Sequence, residues 1–369
     1  MRIGIMLRHL GERGGITMFT RHVLDELLKQ DRDDDFLLLV RSTQDAATAE
    51  QWAAPHVQIR LVPASTKLGW DQVAVPWLAR QERLDLLFNP KLSVPFLTRC
   101  RTIFTLHGAE QFAHPELFPL LDRLYVRTFM PLYCVKADAV LCFAEAVKRD
   151  LVAIGGIDPA KLLVVPQAPH PRFRRVTDPA GLAAVRAKYR LPEHFLFFIS
   201  GITPLKNLPR IFQAYAQIKD RIPHRLVMAG FGRWRYESDV HLIDTLGLGD
   251  RVIKLGYLPD EEVPVFMSLA DALVFPSLYE GLGIPILEAQ ACGCPVLTST
   301  RGAAPETSGG AALLVDPFSV DEIADAMERI ATDRALRAEL SERGLAEARH
   351  RSWQATARKL SEIFQAVGA

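Results

Sequence analysis

The chain has no excess of charge of either sign. Its 369 residues carry 44 Lys and Arg against 43 Asp and Glu. The first 170 hold 20 basic and 19 acidic residues, so neither half is a basic nucleic-acid-binding domain. Apolar runs are short, and none approaches the ~20 residues that a membrane-spanning helix requires. There is no charged-then-apolar leader with a cleavage site. Arg2-Ile3-Gly4-Ile5-Met6-Leu7 reads as a strand at once, which predicts a cytoplasmic protein. Cysteine is scarce: Cys100, Cys134, Cys142, Cys292 and Cys294. The one close pair, Cys292-Gly293-Cys294, has the spacing of neither a zinc knuckle nor a redox pair, so the cysteines read as small buried residues in a reducing compartment. No short repeat or low-complexity segment is present.

What the chain does have is alternation. Hydrophobic residues make up 49% and charged residues 24%, ordinary for a globular protein, and the length favours two domains. Strands are expected at 2–7, 35–41, 56–62, 84–89, 101–106, 138–143 and 161–166, with amphipathic helical patterns between them. Phe36-Leu37-Leu38-Leu39-Val40 and Thr102-Ile103-Phe104-Thr105-Leu106 are nearly continuous apolar runs, as in strands covered on both faces. The pattern breaks over the Pro-rich stretch 168–194, where a linker is expected, and restarts with strands at 195–200, 225–229, 251–256, 272–276, 295–299 and 312–315. This predicts an α/β chain of two Rossmann-like parallel-sheet domains facing a cleft. The expected boundaries are 1–175, 190–350 and a C-terminal helix, 351–369, that packs back on the N-terminal domain. Ligands of such sheets bind beyond the carboxyl ends of the strands, so the loops there are where chemistry is sought.

Five such loops stand out. Glu280 and Glu288 flank Gly281, Gly283, Ile284 and Pro285 after the apolar run 272–275. Two glutamates near a turn are ordinarily just surface residues. Here a Gly-X-Gly turn admits a close backbone approach and the second carboxylate falls at a helix start, which suits a sugar or ribose held beside a phosphate. Lys206 precedes a helix expected to be capped by Asn207; it reads either as a solvated loop lysine or as a phosphate ligand. Gly14 and Gly15 lie in the loop after the first strand, a weak signal on their own. His107 stands at the end of another strand, a position equally consistent with a structural or a catalytic histidine. Gly230, Gly232, Arg233 and Arg235 form a turn or a nucleotide-side loop.

Together these residues resemble a retaining glycosyltransferase of the GT-B fold, family GT4, and within it mannosyltransferases. Glu280 and Glu288 match the family's paired glutamates. Ala270-Asp271-Ala272, Phe275-Pro276-Ser277, Ala291-Cys292-Gly293-Cys294-Pro295-Val296 and the segment Ala311–Pro317 are similar to the family's run in order and spacing. The resemblance implies that Glu280 binds the donor sugar, Glu288 the ribose, and Lys206 the diphosphate. It places the base against the backbone of Tyr257 and Leu258, and the distal phosphate on the amides of Ile286 and Leu287. Gly14 and Gly15 correspond to the donor-side glycine loop, and His107 to the histidine near the transferred sugar.

No metal or permanent cofactor is implied. The donor is a nucleotide-sugar, GDP-mannose favoured over a UDP-sugar. The acceptor is a glycan or lipid-linked glycan, which implies peripheral contact with the inner membrane face, although no strongly basic amphipathic helix marks that contact. Three places depart from the family. Gly201 and Leu205 stand where many members carry an arginine, so the diphosphate is expected either to rely on Lys206 and helix N-termini alone or to recruit Arg233, Arg235 or Arg301. Gly108 replaces an acid after His107. Gln167-Ala168-Pro169-His170 replaces the usual hinge turn. Two other readings stay open: a non-catalytic nucleotide-sugar-binding subunit, to which the missing arginine points, or an epimerase of the same fold.

Overall fold

The computed structural model describes residues 1–12, 14–30, 34–232 and 236–368. The chain divides into two compact units. Unit 1 comprises Met1–Gln167 and Ser352–Ala369, and unit 2 comprises Ala168–Arg351.

Unit 1 is built on seven strands: β1 (Arg2–Met6), β2 (Asp35–Val40), β3 (Val57–Leu61), β4 (Leu86–Asn89), β5 (Arg101–Thr105), β6 (Ala139–Cys142) and β7 (Leu162–Val164). They pair in the order β3-β2-β1-β4-β5-β6-β7, every pair parallel. The apolar runs are buried as strands covered on both faces must be: Leu37, Leu38, Leu39 and Val40 have no exposed surface. Strand order reverses between β1 and β4. The loops after these two strands therefore diverge and leave a crevice at their carboxyl ends.

Helix Trp353–Gly368 belongs to unit 1. It buries Trp353, Ala357, Leu360, Ile363 and Phe364, the apolar side the sequence pattern marks. Phe364 meets Phe88 of β4 at 5.3 Å between ring centroids, and Trp353 meets Phe19 of helix Gly15–Leu27 at 6.2 Å. The Thr356 hydroxyl donates to the Pro166 carbonyl at 2.8 Å. Burying each large side chain contributes about 1.5–3 kcal/mol, enough to hold the helix on this surface.

Unit 2 carries six strands: β8 (Phe195–Ile199), β9 (Arg225–Ala229), β10 (Val252–Lys254), β11 (Ala272–Phe275), β12 (Val296–Ser299) and β13 (Leu313–Val315). Their order is β10-β9-β8-β11-β12-β13, again all parallel, with the reversal between β8 and β11. The stretch 168–194 differs from an extended linker. It falls within unit 2 and contains helix Pro179–Lys188. The Asp178 carboxylate accepts from the amides of Ala180 and Gly181, and Pro179 occupies the first turn, so residues that look like a turn start a helix instead. Among the described residues no helix is long and apolar enough to cross a membrane.

Candidate functional site

In unit 2 the loops after β8 and β11 meet beside the strand-order reversal. Lys206 ends a single 3-10 turn, Pro204–Lys206, and its Nζ donates to Glu280 Oε1 at 2.6 Å. The same ammonium lies 5.0 Å from the centre of the Phe275 ring. Glu280 is only 7% exposed. An unpaired carboxylate so placed would cost several kcal/mol of desolvation, which the lysine offsets. The Leu278 amide donates to the Leu205 carbonyl at 2.8 Å, tying one loop to the other.

Asn207 does not cap the helix that follows. It sits in the left-handed region (φ 61°), and its side chain makes no cap hydrogen bond. Its Nδ2 instead donates to the carbonyls of Pro276, 3.0 Å, and Pro317, 2.7 Å. The amide bridges the loops after β8, β11 and β13, which holds the site together better than a cap would. Two glycines fix the floor. Gly302 has φ +59°, and a Cβ there would stand 2.6 Å from the Glu280 carbonyl oxygen; the neighbouring Ala303 amide donates to that oxygen at 2.9 Å. At Gly230 (φ +123°) a Cβ would stand 1.7 Å from the Ser200 carbonyl oxygen, while its amide donates to Gly256 at 2.7 Å. Neither Asn207's bridging nor Gly302 was legible as a site feature. Gly302 follows a strand, the only signal it gives.

Gly281 and Gly283 form the turn into helix Ile284–Ala291, with Gly283 at φ 83° in the N-cap position. Of the expected pair of phosphate-binding amides, Ile286 and Leu287, the first is already engaged. The Ile286 amide donates to Gly283 at 2.9 Å and Pro285 has no N–H, so the first helical position, Ile284, offers an amide to the turn. Glu288 lies one turn into that helix, half-buried. Burial first, and Asp260 second, raise its carboxyl to about 8, with Arg172 opposing. Tyr257 is exposed and its hydroxyl bonds Asp260 at 3.0 Å, whereas Leu258 is buried. Arg172 also approaches Asp260, at 3.6 Å. It was missed because it comes from the stretch taken for a linker. Of the substitute arginines, Arg233 and Arg235 lie outside the described residues. Arg301 is exposed, 3.9 Å from Asp316. Arg210, which sequence reasoning passed over, reaches Asn207 Oδ1 at 3.1 Å.

Unit 1 has a second polar cluster at its own reversal point. Arg8 forms a two-pronged pair with Asp71, 2.9 and 3.2 Å. Asp71 accepts from the Ser93 hydroxyl at 2.9 Å, and the Ser93 hydroxyl oxygen accepts from Asn89 at 2.8 Å. Lys91 pairs with Glu12 in the glycine loop. Gly14 opens helix Gly15–Leu27 with φ 139° and nothing within 4 Å of where a Cβ would sit. His107 Nε2 lies 2.7 Å from the Pro90 carbonyl, which can only accept. That nitrogen therefore carries the proton and Nδ1 is the ring's acceptor. Burial lowers His107 to about 4, the Pro90 carbonyl opposing and Lys91 adding to the shift, so the ring is neutral near pH 7. Phe19 and Phe143 hold it edge-on.

Comparison with known proteins bears on the chain's family. The model for Family 4 glycosyltransferases matches residues 13–168, and that for group 1 glycosyl transferases matches 184–346. The O-antigen chain mannosyltransferase B of Escherichia coli is 28% identical over 75% of this chain and 73% of its own. A GDP-mannose-dependent alpha-(1-6)-phosphatidylinositol monomannoside mannosyltransferase of Mycobacterium tuberculosis is 36% identical over 44% of each chain. Among solved structures, Anabaena HepE in complex with UDP and glucose superposes with a TM-score of 0.77 at 20% identity, covering 99% of this chain and 100% of that one. The chain belongs to the family 4 glycosyltransferases, is an enzyme of GT-B fold, and is similar to mannosyltransferases.

Proposed function

We propose that the protein transfers mannose, with retention of anomeric configuration, from GDP-mannose to a glycan or lipid-linked glycan. The observation that carries this reading is the buried Lys206–Glu280 pair, 2.6 Å long, at the strand-order reversal of unit 2. In the free protein the pair neutralises itself. An arriving diphosphate offers Lys206 a stronger partner, and Glu280 is released to accept hydrogen bonds from the sugar. The ammonium then stabilises the charge that grows on the leaving diphosphate. Ile284's amide at the helix start and Arg210, which bonds the neighbouring Asn207, are assigned a share of that work in place of the absent arginine. Glu288 takes the ribose hydroxyls, and the backbone at Tyr257 and Leu258 takes the base.

In the reaction the C1–O bond to the diphosphate breaks through an oxocarbenium-like state. A new C1–O bond forms to the acceptor hydroxyl on the same face. The hydroxyl proton passes to the departing phosphate oxygen, so no protein nucleophile is needed. The Gly14-Gly15 loop is assigned to the donor side. His107, neutral with Nδ1 as acceptor, suits a sugar hydroxyl donating to it.

The choice of GDP-mannose over a UDP-sugar draws on the mannosyltransferase relatives; the UDP complex of the structural neighbour argues the other way and sets the comparison to be tested. Support for a lipid-linked acceptor and contact with a membrane face comes from helix Leu120–Lys136. It exposes Leu120, Leu121, Leu124, Leu132 and Val135, with Arg123 and Arg127 exposed among them, a composition suited to an interfacial helix. The test is to incubate the protein with GDP-mannose and UDP-sugars, with and without free and lipid-linked glycans, and follow nucleoside diphosphate release and product anomer. Acceptor-dependent release of GDP with an α-product is expected. A Glu280→Ala protein transferring at the parental rate, or transfer from UDP-sugars alone, overturns the reading.

A further inference from the structure

At the opposite end of the unit 2 sheet lies a cluster that the transfer reaction does not use. His194 immediately precedes β8, His224 precedes β9, and Asp271 precedes β11. These three strands are neighbours in the sheet, so the amino ends of adjacent strands bring the three side chains together. The Lys206–Glu280 pair stands beyond the carboxyl ends of two of the same strands.

The geometry is that of a ligand set. His194 Nδ1 and His224 Nε2 each lie 3.3 Å from the same carboxylate oxygen, Asp271 Oδ2. One ligand atom from each residue falls within 4.8 Å of the other two. Zinc bonds to imidazole nitrogen and carboxylate oxygen are about 2.0–2.2 Å long, and tetrahedral placement of such ligands separates them by about 3.3–3.5 Å. A distance of 3.3 Å is long for a charge-assisted N–H···O bond, which runs at ~2.7–2.9 Å, and it matches that tetrahedral edge.

A second observation points the same way. His224 is 3% exposed; among the described residues its Nδ1 has no hydrogen-bond partner and its Nε2 has only the long 3.3 Å contact with Asp271. A buried imidazole so poorly satisfied is costly, and a metal bond to Nε2 would offset part of that cost. His194 is partly exposed, at 36% of its side chain, which leaves solvent access on its side for a fourth, water ligand. Asp271 is oriented from outside the cluster. The Phe195 amide donates to Oδ2 at 3.2 Å, and Arg337 Nη2 lies 3.7 Å from Oδ1. The guanidinium thus approaches the oxygen that the two histidines do not share.

We infer that His194, His224 and Asp271 form a binding site for one zinc-class divalent cation, remote from the transfer chemistry, that ties the amino ends of β8, β9 and β11. Such an ion does not enter the reaction. It stabilises unit 2 by binding the native state alone.

The test uses the full chain dialysed against a chelator, then titrated with zinc in competition with a chromophoric chelator, and followed separately by thermal unfolding. One equivalent should bind and raise the unfolding temperature. His194→Ala removes a partly exposed ligand and should fold; it should weaken zinc by more than the roughly 10–100-fold that loss of a ligand's outer hydrogen-bond partner costs. His224→Gln, a second variant of similar volume, should do the same. Cobalt substitution should give the visible absorption of a tetrahedral site in the parent and not in either variant. Sugar transfer should be equal before and after chelation. An unchanged unfolding temperature with zinc, or equal zinc affinity in His194→Ala, overturns the site.

Discussion

The two sheets share one topology and use their reversal points differently. In unit 2 the groups are few and their charges cancel locally, with Lys206 against Glu280 and the backbone beneath braced by Gly302 and Asn207. In unit 1 the polar groups are spread along the chain, Arg8 to Glu12, Asp71, Asn89 to Ser93 and His107, and the histidine among them is neutral near pH 7. The first arrangement suits a ligand that carries its own charge and can displace one partner of an ion pair. The second suits hydroxyls, which need an acceptor and no counter-charge.

The sharpest way to break the comparison is to remove the charge pair. Lys206→Met leaves Glu280 buried without its lysine. It should destabilise the protein by about 3 kcal/mol or more and lower transfer by about 10²–10³-fold. Lys206→Met with Glu280→Gln should regain most of the stability and none of the transfer, since the buried charge is gone but so is the diphosphate ligand. Thermal unfolding and initial rates on the four proteins of the cycle give both numbers. If the double variant is as unstable as the single, the pair does not set the local energetics.

A smaller effect separates the glycines of the two units. Gly302→Ala meets both a left-handed φ and backbone atoms of Glu280 at 2.6 and 2.9 Å, which cannot move without shifting the carboxylate. It should cost about 3 kcal/mol and raise the donor KM. Gly14→Ala has the strained φ but open space, and should cost only about 1–2 kcal/mol. Equal losses would mean that the unit 1 loop is braced as tightly as the unit 2 floor.

This contrast also explains how much could be read beforehand. The parallel sheets were legible because strands buried on both faces leave uninterrupted apolar runs, as at 36–40 and 272–275. Glu280, Glu288 and Lys206 were legible as candidates because each lies in a compact stretch with glycines beside it. That Lys206 and Glu280 bond to each other was not, since 74 positions separate them and only the β8–β11 adjacency brings them together. Asn207 misled because Asn before a helix normally caps it; the carbonyls of Pro276 and Pro317 outcompete the cap. The histidine–aspartate cluster left no local signal at all. Its members are single residues at the starts of strands, where sequence reasoning was looking at the ends.

A contrast within unit 2 lies at the second glutamate. Burial acts on Glu288 with Arg172 alone opposing it, and its carboxyl is raised from 4.5 to about 8. The sign follows directly. Between those values the folded protein keeps a proton that the unfolded chain has released, so stability falls as pH rises through that window and levels off above about 8. Glu288→Gln removes the titration. Relative to the parent it should be unchanged below about pH 4.5 and progressively more stable as pH rises from there to about 8. Thermal unfolding of both proteins across that range measures the difference. Ribose hydroxyls donate better to a carboxylate than to a carboxylic acid, so GDP binding near pH 7 should release a proton in the parent and none in the variant. Calorimetry in buffers of different ionisation enthalpy reads that proton. A parent and variant with parallel stability profiles would mean that Glu288 holds no proton for a ligand to displace.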